Sequence, residues 1–94
     1  MLDGIVFAMN QALDLARESA SAGEVPVGAV VLDSKGNIIG KGANMREKNA
    51  DPLAHAEVLA MKSAAISRKS WNLSDCTLVV CLLYPSLSGL ARQT

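Results

Sequence analysis

Ile5, Met9, Ala12, Leu13, Ala16 and Ala20 recur at helical spacing, with Asn10, Asp14, Arg17 and Glu18 on the other faces. The pattern predicts a first helix that Gly23 stops. Residues 25–32 are an apolar, β-branched run broken only by Pro26. Proline brings no N–H to a ladder, so the start of this strand is expected outside the central hydrogen-bonded part. Asp33-Ser34-Lys35-Gly36-Asn37 reads as a turn and residues 38–44 as a second strand, which together make a hairpin. Gly28, Gly40 and Gly42 carry no side chain and mark bends or close backbone approaches.

A polar stretch, residues 45–53, closes on Asp51-Pro52. Proline disfavours helix in the residue before it, so the second helix is expected only beyond this point. Residues 54–66 supply the helical period through Val58, Met61 and Ala65, with Leu59 and Ile66 widening the apolar face. Residues 70–75, with the single tryptophan Trp71, form a connector, and residues 77–83 are an apolar run of strand length. Pro85, Ser86, Ser88 and Gly89 then favour a turn over a further element. The order helix, strand, strand, helix, strand suits a small α/β layer structure.

Composition narrows the picture. A chain of 94 residues is one domain at most, and at this size only about 60–65% of the unfolded surface is buried on folding. Half the residues are apolar but only three are aromatic, so the core must be built of Ala, Val, Leu and Ile. Nine basic residues balance nine acidic ones, which removes any global electrostatic footprint for nucleic acid. Arg46, Lys48, Arg68 and Lys69 remain as a local basic patch or as ordinary solvated charges. The N-terminus does not read as a secretory signal, and no run approaches the roughly 18 apolar residues that cross a bilayer. Two cysteines are too few for a disulfide framework, which makes a reducing cytoplasm the expected location.

The chemistry centres on His55-Ala56-Glu57, at the mouth of the second helix. Taken alone the pair is a weak signal. Acidic residues are common in first helical turns, and two positions on a regular helix are about 200° apart, so the side chains share no lateral face. Both could still approach a site beyond the helix N-terminus.

In company it becomes specific. Glu24-Val25-Pro26-Val27-Gly28-Ala29, Ile39-Gly40-Lys41-Gly42-Ala43-Asn44, Asp51-Pro52-Leu53-Ala54-His55-Ala56-Glu57 and Cys76-Thr77-Leu78-Val79-Val80 follow one another in an order and spacing that resemble the bacterial tRNA adenosine deaminases. These belong to the cytidine-deaminase-like zinc deaminases, and the resemblance runs over residues 5–82. It implies a three-layer α/β/α fold with a mixed sheet, of which a C-terminally truncated chain holds only the N-terminal part, residues 1–94 forming a single, incomplete domain. The implied reaction is the hydrolytic deamination of wobble adenosine to inosine. The implied partners are a tRNA anticodon arm and a second copy of the chain, with no membrane. In this class one histidine and two cysteines hold zinc while a glutamate outside the metal shell moves protons. The resemblance therefore makes His55 a zinc ligand and Glu57 the general acid/base. It makes Asn44 a hydrogen-bonding partner of the flipped base and Val27 an apolar wall of its pocket. Asn44 and Pro26-Val27-Gly28-Ala29 favour the tRNA branch over deaminases of free nucleobases or nucleosides.

The second half of such a site, Pro-Cys-x-x-Cys, is due about 30 residues further on. There the chain reads Leu83-Tyr84-Pro85-Ser86-Leu87-Ser88-Gly89. Aligned without a gap, the cysteines fall on Pro85 and Ser88; with one inserted residue they fall on Ser86 and Gly89. Neither alignment gives the three protein ligands usual for catalytic zinc. Cys76 and Cys81, if on one strand, lie five positions apart and face opposite sides; both read as small buried residues. The chain as written is therefore expected to hold no catalytic zinc and to be inactive. The sudden loss of resemblance after Leu82 suggests a frameshift, a shortened gene or a non-catalytic remnant.

Overall fold

Helix α1 spans Leu2–Ser21 and strand β1 Val27–Leu32, in a computed structural model that describes residues 2–45 and 55–83. Strand β2 (Ile38–Ala43), helix α2 (Ala56–Arg68) and strand β3 (Thr77–Leu82) complete the order predicted from the sequence. The polar stretch before Asp51-Pro52 falls largely outside the described residues, as do Pro85 to Gly89.

Helix α1 stops where Gly23 takes a left-handed conformation (φ 78°). The Gly23 N–H donates to the Ala20 carbonyl and the Glu24 N–H to the Ser19 carbonyl, at 3.0 and 2.9 Å. This paired closure is the Schellman arrangement, which satisfies carbonyls left over at a helix end. Pro26 lies just before β1, outside its ladder, while its carbonyl accepts the Leu83 N–H at 2.9 Å. The hairpin turn is held by Asp33, whose Oδ1 accepts the N–H groups of Lys35 and Asn37, both at 2.9 Å. The Asn37 donor, foremost among these, lowers the Asp33 carboxyl below its ordinary range.

The sheet order is β2-β1-β3 and both pairings are antiparallel. β2 and β3 thus run in the same direction with β1 between them, and α2 makes the crossover that a return in the same direction requires. Among the described residues the sheet is antiparallel throughout, where the resemblance implied a mixed one. Helix α1 covers one face of the sheet, where Ala8, Val30 and Leu32 are buried with Ile5, Leu15, Ile38 and Val79 around them. Helix α2 covers the other, where Ala29 and Val31 meet Ala56, Ala60 and Ala64. Three layers result.

The inward face of α2 differs from the one the apolar spacing predicts, and that of α1 matches it in part, at Ala12 and Ala16 with Ile5 packed against the core. On α2 the buried residues are Ala56, Ala60 and Ala64 rather than Val58, Met61 and Ala65; Met61 is 39% and Ile66 75% exposed. On α1 the buried set is Ala8, Ala12, Ala16 and Ser19, with Met9 and Ala20 turned outward. The reason lies in the strands. A Cβ at Gly42 would collide with the Ala56 carbonyl oxygen, one at Gly40 with that of Ala60, and one at Gly28 with that of Ala12. Helix backbone rests directly on strand backbone at these glycines, and the fully buried helix positions there are alanines. Large side chains are displaced to the margins.

Candidate functional site

His55 is the residue that caps α2, in an extended conformation (φ −78°, ψ 147°), and its side chain makes no capping hydrogen bond. Its imidazole is left uncommitted to the helix end. The first free donor of the helix, the Ala56 N–H, is taken up by Asn44 Oδ1 at 3.2 Å. A helix end otherwise leaves four such groups without internal partners. Because an N–H can only meet the oxygen of an amide, it is the oxygen of the Asn44 side chain, not its amino group, that faces the helix end.

Asn44 is itself fixed from the sheet. It is 5% exposed, it follows β2 directly, and its N–H donates to the Val27 carbonyl at 3.1 Å, continuing the β1–β2 ladder by one pair. Val27 packs half-buried against the α2 side of the core. The four residues singled out by sequence thus converge. Val27 bonds Asn44, Asn44 bonds Ala56, and Ala56 lies between His55 and Glu57. His55 and Glu57 are both half-buried, at a helix end whose dipole favours negative charge.

Sequence reasoning missed Ser19. Its side chain is fully buried, and its Oγ lies 3.1 Å from the Asn44 carbonyl oxygen and 3.3 Å from that of Val27. The available signal was a lone hydroxyl continuing the alanine row Ala8, Ala12, Ala16.

Other candidates fall away from this cluster. Arg68 is at the far end of α2, about 20 Å along a helix of 13 residues. It grips Asp75 with both terminal guanidinium nitrogens, at 2.5 and 2.8 Å, and its Nη1 also lies 3.1 Å from Cys76 Sγ. The pairing draws the Asp75 carboxyl down to about 2 and raises Arg68 further. Arg68 is therefore a structural tie between α2 and the approach to β3, not part of a basic patch beside His55; Lys69 adjoins it, and Arg46 and Lys48 lie outside the described residues.

Cys76 precedes β3 and packs on the α2 side, whereas Cys81 lies within β3 with its Sγ 3.6 Å from the Met9 carbonyl of α1. They do face opposite sides of the sheet. Both are half-buried rather than buried, because β3 is covered only in part. Burial raises the Cys76 thiol above its ordinary range, which disfavours the thiolate a metal needs. Among the described residues no three His, Cys, Asp or Glu side chains are grouped to hold a metal, and residues 84–94 contain none of these types. Among the described residues the donors beside His55 do not make up the three protein ligands of a catalytic shell. No described helix is long and apolar enough to cross a membrane.

Residues 5–85 match the cytidine and deoxycytidylate deaminase zinc-binding region. The chain is 43% identical over 74 residues to the tRNA-specific adenosine deaminase of Haemophilus influenzae, covering 79% of this chain and 43% of that protein. It is 48% identical over 80 residues to the tRNA(Ile)-lysidine synthase of Deinococcus radiodurans, covering 85% of this chain and 14% of that protein. Among solved structures, one from studies of A-to-I editing by tRNA:A34 deaminases superposes with a TM-score of 0.76 at 31% identity, over 80% of this chain and 54% of that one. The guanine deaminase of Bacillus subtilis superposes at 0.72 with 34% identity, over 90% and 54%. The chain thus spans about half the length of these solved deaminases and much less of the Deinococcus protein. With helix, hairpin, helix and third strand all in place, it belongs to the cytidine and deoxycytidylate deaminase family.

Proposed function

We propose that these residues form the His–Glu half of a site for hydrolytic deamination of adenosine in tRNA. The observation that supports the reading is the bonded chain Val27–Asn44–Ala56, which links the two pocket candidates to the start of the helix flanked by His55 and Glu57. In this reading Val27 walls the base pocket and the Asn44 amino group donates to an acceptor on the base. Glu57 takes a proton from the attacking water and returns protons to the ring nitrogen and the departing amine, so that ammonia leaves as water adds. His55 is one zinc ligand. No step is assigned to the metal, because the described residues offer no second ligand, and the 94 residues by themselves are proposed not to turn over substrate.

Two relatives with different names, an adenosine deaminase and a lysidine synthase, are both named for tRNA, which supports a tRNA substrate. That substrate in turn supports a cytoplasmic location. The exposed apolar side chains of Leu78, Val80 and Leu82 on β3 support a covering partner, in this reading a second copy.

The test is a chimera in which residues 5–85 replace the matching segment of the Haemophilus enzyme. Formation of inosine in an anticodon stem-loop, with no deamination of free guanine, is the expected result. The likeness to guanine deaminase gives the second reading, and a chimera that consumes guanine but leaves the stem-loop unchanged would establish it in place of the first.

A further inference from the structure

We propose that Ser19 is a positioning residue for this site, a role that rests on the reading of Val27 and Asn44 as pocket residues. Serine is a mediocre helix former, and a buried hydroxyl without a partner is costly. A serine on the fully buried row of α1 therefore has to be explained by what it bonds. Its two acceptors lie off its own helix, on the carbonyls of Val27 and Asn44, at 3.3 and 3.1 Å. The Val27 carbonyl already accepts the Asn44 N–H. One hydroxyl proton is thus shared between, or alternates over, the two strand ends that carry the pocket candidates.

The consequence reaches the helix that holds His55 and Glu57. Asn44 Oδ1 takes the Ala56 N–H, so the placement of the Asn44 main chain sets where α2 begins. Ser19 holds that main chain from the opposite layer of the fold. The main chain at Ser19 is anchored in its turn, its carbonyl accepting the N–H groups of Ala22 and Glu24 at 3.1 and 2.9 Å. The closure of α1 is thereby tied through one hydroxyl to the start of α2, a relay of four bonded residues (Ser19, Asn44, Val27 and Ala56).

Amide hydrogen exchange on the full 94-residue chain tests this, with Ser19→Ala and Ser19→Cys. Alanine removes the donor while improving helix propensity; cysteine fills the space with a weak donor. Both variants are expected to speed exchange of the Asn44 and Ala56 amides by about five- to tenfold, the loss of one net hydrogen bond. Val30 and Val31, in the middle of β1, should stay within about twofold. Equal acceleration at all four positions, or none, overturns the proposal, because a purely packing role moves every amide together. Protection restored by cysteine overturns it as well. Affinity for an anticodon stem-loop RNA, measured on the same proteins, separates this from the functional reading. Selective acceleration in a chain whose parent binds no stem-loop leaves Ser19 as the positioner and removes the tRNA assignment. A roughly fivefold loss of affinity in both variants upholds both.

Discussion

Asn44 and Ala56 are twelve positions apart, and the side-chain oxygen of the first accepts the main-chain N–H of the second. Helix α2 is therefore capped from the neighbouring strand, not by the residue that precedes it. Removing the oxygen in Asn44→Ala should cost about 1–2 kcal/mol, the usual worth of a cap, read as a lower urea midpoint at unchanged slope. Asn44→Asp keeps the acceptor and puts negative charge where the helix dipole favours it, so it should recover at least half of that loss at pH 7. If aspartate is as destabilising as alanine, the cap is not what Asn44 contributes.

Contact of backbone with backbone at Gly42 leads to a second expectation. A methyl group there meets the Ala56 carbonyl and lies 2.6 Å from Ala60 N, atoms that cannot rotate away. Gly42→Ala should destabilise by about 2–3 kcal/mol or more, and should shift the resonances of His55 and Glu57 as α2 is pushed off the sheet. Gly4 is the control. It lies within α1 with nothing near its Cβ direction, and Gly4→Ala should be neutral or stabilise by up to about 1 kcal/mol. Similar outcomes at the two positions would mean that helix and strand are not in direct contact.

Among the described residues no three His, Cys, Asp or Glu side chains are grouped to hold a metal, where a catalytic zinc shell uses three from the protein. The purified chain is expected to hold well under one zinc per molecule after gel filtration, and His55→Ala should not lower that content measurably. Stoichiometric zinc that His55→Ala abolishes would show that donors beyond those grouped here complete the shell.

The order of elements could be read directly from the sequence, because each is bounded by a residue with one local meaning: Gly23 at a helix end, Pro26 before a ladder, Asp33 to Asn37 in a turn. Candidate members of a site could be named only through the resemblance, since His55, Glu57, Asn44 and Val27 sit inside contiguous matching segments. The inward face of α2 could not, and that of α1 only in part, at Ala12 and Ala16. Periodicity ranks positions by hydrophobicity, whereas Gly28, Gly40 and Gly42 select by size, so alanine outcompetes Val58, Met61 and Met9 for the core. Ser19 was hidden for a related reason: nothing nearby in sequence reports that its acceptors belong to residues 8 and 25 positions away.

Helix α2 ends on Lys69 in the left-handed region (φ 59°), with Lys69 and Ser70 donating to the Ile66 and Ala65 carbonyls. Glycine is the residue that adopts this conformation without a Cβ penalty. Lys69→Gly should raise stability by about 0.5–1 kcal/mol, the local strain of lysine outweighing the extra freedom of glycine in the unfolded chain. A loss of stability would show that the lysine side chain contributes contacts of its own.

Asp75 supplies the acid limb of the stability profile. Its carboxyl lies at about 2 in the folded chain, chiefly through the hydrogen bonds from Arg68, against about 3.9 when unfolded. A depressed carboxyl binds its proton more readily in the unfolded state, so its contribution is fully present above about pH 4 and is lost as pH falls towards 2. The pair is partly exposed, with side chains 27% and 46% accessible, so its effect should also shrink in high salt. Melting temperatures of the parent and Asp75→Asn should differ by a constant amount from pH 7 to 5 and converge between pH 4 and 2. A gap that persists unchanged to pH 2 would assign the effect to the shape of the side chain and not to its charge.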